Sequence, residues 1–168
     1  MDYIYHYESP LGGITLASDG EALIGLWFDD QKYFGSVLKE PFLEERLPVF
    51  DDALRWLDDY FSGQIPPFTP KLHLRTTAFR QRVWQALLAI PYGQTMTYKQ
   101  IARLIDETGK MSCQAIGNAV GHNAISLIIP CHRVIGSDGS LVGYAGGLDR
   151  KKRLLAMEKD RINLEVRK

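Results

Sequence analysis

Only two cysteines occur in the 168 residues, and one of them, Cys131, stands beside His132 in the run Ile128-Ile129-Pro130-Cys131-His132-Arg133-Val134. A free thiol with a pKa near ~8.5 is only a few per cent thiolate at neutral pH, so an attacking cysteine needs a base or a positive field close by. The neighbouring histidine is a candidate base. Two readings are open. Leu127 to Ile129 reads as a buried strand, at whose end a cysteine is usually an inert small apolar residue. Alternatively Cys131 is a nucleophile. Consecutive strand residues point to opposite faces, so His132 serves Cys131 only if the chain turns there or a water bridges them. Pro130 favours such a turn. Cys113 is expected at a helix start and is read as structural.

The elements that must hold this pair follow from patterning. Gly13 to Ala17 and Ala22 to Phe28 flank Ser18-Asp19-Gly20-Glu21, a hairpin signal. Phe50, Ala53, Leu54, Leu57 and Phe61 then recur at helical spacing, with Asp51, Asp52, Asp58 and Asp59 between them as a solvated face. Gly63 to Pro70 is rich in turn formers and reads as a connection between lobes. Beyond it, Phe79, Val83, Leu87 and Leu88 mark a helix ended by Pro91-Tyr92-Gly93. Thr97-Tyr98-Lys99-Gln100 has the form of a capping box, and it opens a helix with the stripe Tyr98, Ile101, Ala102 and Ile105. Ser112 can cap the next helix, through Ala115, Ile116, Ala119 and Val120. Two short helices joined by a Gly-containing turn resemble a helix-turn-helix, although helix pairs are common. Arg133 to Ile135 and Ser140 to Val142 flank Gly136-Ser137-Asp138-Gly139 as a second hairpin candidate. The last helix carries Leu148, Leu154, Leu155 and Met157, with Glu158 near its end and the run Arg150-Lys151-Lys152-Arg153, whose commoner reading is a solvated face.

Composition narrows the class. With 45% hydrophobic and 24% charged residues the chain is an ordinary globular one, and no segment approaches ~18 consecutive apolar residues. Neither a basic leader nor a long apolar start precedes Tyr3, so a cytoplasmic location without a membrane partner is expected. Two cysteines and four scattered histidines suggest neither a disulfide framework nor a metal site. The formal net charge of +0 hides a division: residues 1–70 hold 4 Lys+Arg against 13 Asp+Glu (−9), and residues 71–168 hold 16 against 7 (+9). A basic half suits phosphate binding, and it is the half containing the motifs. Mutual attraction of two lobes is the alternative.

Val83-Trp84, Pro91-x-Gly93, Thr97-Tyr98, a glycine-bearing helix, Asn123, Pro130-Cys131-His132-Arg133-Val134, Gly143-Tyr144-x-Gly146-Gly147 and Leu154-Leu155-x-x-Glu158 occur in that order. This arrangement resembles the alkylguanine-DNA alkyltransferases, also called methylated-DNA-protein-cysteine methyltransferases, over roughly residues 76–159, and loosely before that. The resemblance implies an α+β fold: a small α/β amino-terminal support domain over 1–75, then a mainly helical, winged-helix-like domain over 76–168 that carries the helix-turn-helix and the reactive cysteine. It implies irreversible transfer of an alkyl group from the ring oxygen of guanine, or from alkylthymine, to Cys131. No cofactor is implied, and the expected partner of a monomeric chain is double-stranded DNA containing the damaged base. His132 would draw the thiol proton through a water, Glu158 would orient the histidine, Asn123 would hydrogen-bond around the thiol, and Tyr98 would donate to the leaving base. Val134 and Ala145 would offer backbone groups, and Tyr144 would line the pocket. Extrusion of the nucleotide costs a few kcal/mol. The family fills the vacated stack with an arginine from the second helix of the motif, where this chain has Gln114, with Ser112, Ala115 and Gly117 beside it on the DNA-facing helix. Ala124 and Ser126 also stand where relatives often carry proline.

Two rival functions fit parts of this pattern. A module that binds alkylated bases without reacting would not need Cys131. A cysteine hydrolase using Cys131, His132 and Glu158 would leave the basic half idle.

Overall fold

The computed structural model describes residues 1–167 and divides into two compact units, Met1–Arg75 with Ala124–Ser126, and Thr76–Asn123 with Leu127 onward. In the first, strands β1 (Asp2–Ser9), β2 (Gly12–Ser18), β3 (Leu23–Phe28) and β4 (Phe42–Glu44) form one sheet in the order β3-β2-β1-β4. The hairpin expected around Asp19 is β2–β3, with Asp19 Oδ1 accepting the backbone N–H groups of Glu21 and Ala22. Strands β1 and β4 were not expected individually. Tyr3, Tyr5 and Tyr7 alternate with Ile4, His6 and Glu8, and this mixed pattern gives no clean apolar face to read. Helix α1 (Pro48–Phe61) buries Phe50, Ala53 and Leu57 of the predicted stripe, with Val49, Trp56 and Tyr60 beside them, while Leu54 and Phe61 are only half-buried. The segment Ala124–Ser126 extends this unit along β3, since Leu26 N–H donates to Ala124 O and Ser126 N–H donates to Leu26 O.

The second unit is mainly helical. Helix α2 (Ala78–Leu88) is capped by Thr77, whose side chain accepts Arg80 N–H, and buries Val83, Trp84 and Leu87. Helix α3 (Tyr98–Ile105) starts at Thr97 with the full capping box, worth ~1 kcal/mol. Helix α4 (Cys113–Gly121) starts at Ser112, whose hydroxyl accepts Ala115 N–H. The three pack on one another, and Trp84 Nε1–H donates to Ala119 O at 2.9 Å. Helix α5 (Leu148–Arg167) is longer than expected and places Glu158 mid-helix. Among the described residues no helix is long and apolar enough to cross a membrane.

Two local expectations are corrected. Leu127 to Ile129 is a buried turn rather than a strand, with Leu127 held at a left-handed φ of 70°. A bulky residue in that region is a genuine backbone outlier, and apolar content alone cannot reveal it. The expected hairpin over 133–142 is also absent. Val134–Ile135 forms β6, but it pairs in parallel with Met96–Thr97 (β5) rather than with 140–142. A tight turn remains, in which Gly136 N–H donates to Ser140 O.

Candidate active site

Pro130 ends the buried turn, and Cys131–Arg133 form a single turn of 3₁₀ helix. That geometry removes the strand alternation that would have sent Cys131 and His132 to opposite faces. Both side chains are buried. Asn123, at the end of α4, donates its amide Nδ2–H to Ile129 O at 2.8 Å and hydrogen-bonds to the Cys131 thiol. It therefore ties the turn and the sulfur together.

His132 Nε2 lies 2.6 Å from Glu158 Oε2. The carboxylate also accepts Arg133 Nε–H (2.8 Å) and Nη2–H (3.2 Å), and Gly93 N–H (3.0 Å). Arg133 completes its hydrogen bonding on Ile90 O at 2.8 Å, and its guanidinium lies 5.6 Å from the centre of the Tyr92 ring. Burial would push the Glu158 carboxyl up, but the hydrogen bonds of His132 and Arg133, with the Arg133 charge, outweigh it and hold the group well below the usual carboxylate range. Burial pushes His132 down, and the pull of Glu158 does not overcome it. The resting pair is thus an ionised carboxylate, neutralised mainly by Arg133, and a neutral imidazole. With Nε2–H donated to Glu158, the lone pair of Nδ1 is the one that can take a proton.

Burial pushes Cys131 up, against opposing contributions from the Asn123 hydrogen bond, the charge of Lys151 and the backbone N–H groups of Cys131 and His132. The resting sulfur is therefore protonated.

Tyr98 donates its hydroxyl to Val142 O at 2.9 Å, and burial, with the charge of Cys131 acting in the same direction, keeps that hydroxyl protonated. The tyrosine lines a groove of about 470 Å³ together with Cys113, Gln114, Gly117, Ser137, Val142 and Gly143. Two of the residues expected to face DNA, Gln114 and Gly117, are thus in its wall. Ser112 and Ala115 are not: the Ser112 hydroxyl is occupied in capping, and Ala115 is half-buried. Cys131 is not in the wall either. Val134 is buried, its carbonyl accepting from Lys151, while Tyr144 sets its ring edge-on to His132 at 6.4 Å. Ala145 is half-buried beside it in the chain. Among the described residues no cluster of three or more His, Cys, Asp or Glu side chains could hold a metal ion.

Three participants were missed in the sequence. Arg133 lies inside the motif but had been given no task. Gly93 adopts φ +80°, and a Cβ there would fall 2.4 Å from Ile162 Cγ1. Gly93→Ala is expected to cost about 1–3 kcal/mol, read as a lower urea midpoint, because both the left-handed backbone and the contact with Ile162 are violated. Lys151 corrects the reading of the basic run as a solvated face: it is 0% exposed, whereas Lys152 and Arg153 are exposed. The signal was available. Lys151, Leu154 and Glu158 recur at helical spacing on the buried stripe of α5, so the stripe passes through the basic run.

Comparison with known proteins agrees with this architecture. Residues 78–160 match the family described as 6-O-methylguanine DNA methyltransferase, DNA binding domain, and residues 3–74 match its ribonuclease-like domain. A methylated-DNA–protein-cysteine methyltransferase of Mycobacterium tuberculosis is 45% identical over 93% of each chain, and one of Methanosarcina barkeri is 44% identical over 92% of this chain and 96% of the other. The crystal structure of Mycobacterium tuberculosis OGT in complex with DNA superposes with a TM-score of 0.85 at 42% identity, covering 95% of this chain and 94% of that one. A Pyrococcus kodakaraensis methyltransferase, at 20% identity and a TM-score of 0.68, shares the fold. By sequence along nearly its whole length, and by fold, the chain belongs to the 6-O-methylguanine DNA methyltransferase family.

Proposed function

We propose that this protein repairs DNA by transferring the alkyl group of O6-alkylguanine, and of O4-alkylthymine, irreversibly to Cys131 in a single turnover. The observation that carries the reading is the buried chain of contacts from Arg133 through Glu158 to a neutral His132, the residue that follows Cys131 in the same 3₁₀ turn. Double-stranded DNA is the partner, met by a monomeric chain. Residues 76–168 supply the DNA-binding and alkyl-accepting machinery, and residues 1–75 support it.

The chemistry follows from the charge states. His132 Nδ1 takes the thiol proton, through a bridging water, as the sulfur attacks the alkyl carbon of an extruded base. The carbon–oxygen bond breaks, its electron pair passes into the guanine ring, and Tyr98 donates a hydrogen bond or proton to that ring. The imidazolium formed on His132 is stabilised by Glu158, the orienter logic seen in other nucleophile–base pairs. Because the thiol starts protonated, most of the rate comes from alignment and from stabilising charge that develops during transfer. The product is a thioether, which no residue here can cleave.

Val134 and Ala145 supply backbone groups to the base, Tyr144 closes the pocket, and Asn123 holds the turn that presents the sulfur. Gln114, with Ser112, Ala115 and Gly117 on the same helix, faces the duplex and fills the gap left by the extruded nucleotide. Glutamine offers hydrogen bonds to the orphaned base but no cation.

Incubation with a duplex containing O6-methylguanine, followed by intact-mass and peptide mapping, tests the reading. One methyl group per chain, on Cys131, is expected, and Cys113→Ser should give the same stoichiometry. Tight binding without an adduct would instead mark a recognition module, and turnover of an ester or amide would mark a hydrolase.

A further inference from the structure

Lys151 is a fully buried lysine that, among the described residues, makes no ion pair. Its ammonium donates to Val134 O at 2.5 Å and Gly143 O at 3.1 Å, with Val142 O at 3.5 Å. Removing an ammonium from water without a carboxylate partner is costly, and hydrophobic replacements at buried charges are often neutral or stabilising. Its presence therefore calls for a role other than holding the helix in place. The three carbonyls show what it joins. Val134 belongs to β6, immediately after the 3₁₀ turn that carries Cys131, whereas Val142 and Gly143 form part of the groove wall. Val142 O is also the acceptor of the Tyr98 hydroxyl.

Resting on the alkyl-transfer reading above, we infer that Lys151 is a positioning residue: its ammonium latches the Val142–Gly143 wall of the groove to β6, and so fixes the site a base must enter. The segment between these anchors is Gly136 to Leu141, which contributes no regular structure and exposes Ser137, Asp138, Gly139 and Ser140. Without the latch its attachment rests on the Gly136–Ser140 turn and on Tyr98, whose hydroxyl must leave Val142 O to serve a bound base. A carbonyl stripped of its donor costs free energy, and Lys151 already stands where it can take up Val142 O at that moment. The burial that lowers the lysine's own proton affinity is compatible with this, because three carbonyl dipoles favour the charged form.

The test is made in a Cys131→Ser background, where no thiolate exists for the lysine's charge to act on. Adding Lys151→Met is expected to speed amide exchange across residues 136–146 by about tenfold while leaving α2, α3 and α4 unchanged. The same substitution should reduce the preference for an O6-methylguanine duplex over an undamaged one by about tenfold, with affinity for undamaged DNA unaltered. Unchanged exchange in 136–146 overturns the latch. Faster exchange with an unchanged preference overturns the positioning role, leaving only a structural tie. Should the methionine variant fail to fold, Lys151→Gln serves, since its shorter side chain cannot reach all three carbonyls and the same loosening is expected. A Cys131→Ser chain with no preference for the alkylated duplex leaves nothing for Lys151 to position and overturns that role, while the alkyl-transfer reading is judged separately by the methyl adduct on Cys131 of the unsubstituted chain.

Discussion

Cys131→Ser is expected to lower the rate of alkyl transfer by at least about three orders of magnitude while leaving binding of the alkylated duplex in place. A hydroxyl is far harder to ionise than a thiol, and burial at this position already opposes ionisation of the sulfur. The neighbouring imidazole is neutral and modest as a base, so it can relieve a thiol of its proton as carbon–sulfur bonding develops but has little leverage on an alcohol. Single-turnover transfer of a radiolabelled methyl group gives the rate, and fluorescence anisotropy gives the binding. Substantial methylation of the serine variant would mean that another residue is the acceptor.

Glu158→Gln should damage both stability and chemistry. The carboxylate gathers His132, two nitrogens of Arg133 and the Gly93 amide. A glutamine keeps one acceptor oxygen and turns an NH₂ donor toward groups that also donate. Arg133, 7% exposed, then holds a buried charge without its anion, a loss of about 3–5 kcal/mol where one partner of a buried pair is removed. The imidazolium formed during transfer loses its stabiliser, so the rate should drop by about 10²–10⁴-fold. Urea titration and single-turnover kinetics measure the two effects, and a variant of ordinary stability and speed would remove Glu158 from the mechanism.

The same network sets an acid limit. His132 and Glu158 both bind protons less readily in the folded chain than when free, so the unfolded chain takes protons first as pH falls. The stabilisation is complete above the free imidazole value of ~6.5, erodes below it, and erodes again below ~4.3, where free carboxylates protonate. Thermal midpoints should fall accordingly between pH 7 and pH 4, and the lower step should shrink in Glu158→Gln, the remainder being carried by Asp2 and Asp19, whose carboxyls are also held below their free values by Arg75 and His73.

Much of this site could be read from residue types, and the exceptions have physical causes. Capping boxes and helical stripes are local, so Thr97, Ser112 and the faces of α1, α2 and α4 were legible. Cys131, His132 and Glu158 were legible as a constellation, through resemblance rather than spacing. What sequence could not give was long-range pairing: β5 with β6, and β1 with β4, join segments distant in the chain. The buried turn at Leu127 was hidden because an apolar run looks alike as strand or turn until backbone torsions are known. Lys151 was passed over because charge was given more weight than its place on a buried stripe. Burial of the thiol was equally invisible, and it moves the origin of reactivity from a pre-formed thiolate to proton transfer in the reaction.

The two-residue parallel ladder between β5 and β6 has a further implication. Tyr98 begins where β5 ends, and Cys131–Arg133 end where β6 begins, so a few backbone rungs, not the intervening polypeptide, set how far Tyr98 stands from Cys131. Insertions or deletions between Asp106 and Met111, outside both α3 and α4, would leave that separation intact. Length variation there is consequently a handle for reshaping contact with the double helix while the reacting atoms keep their alignment.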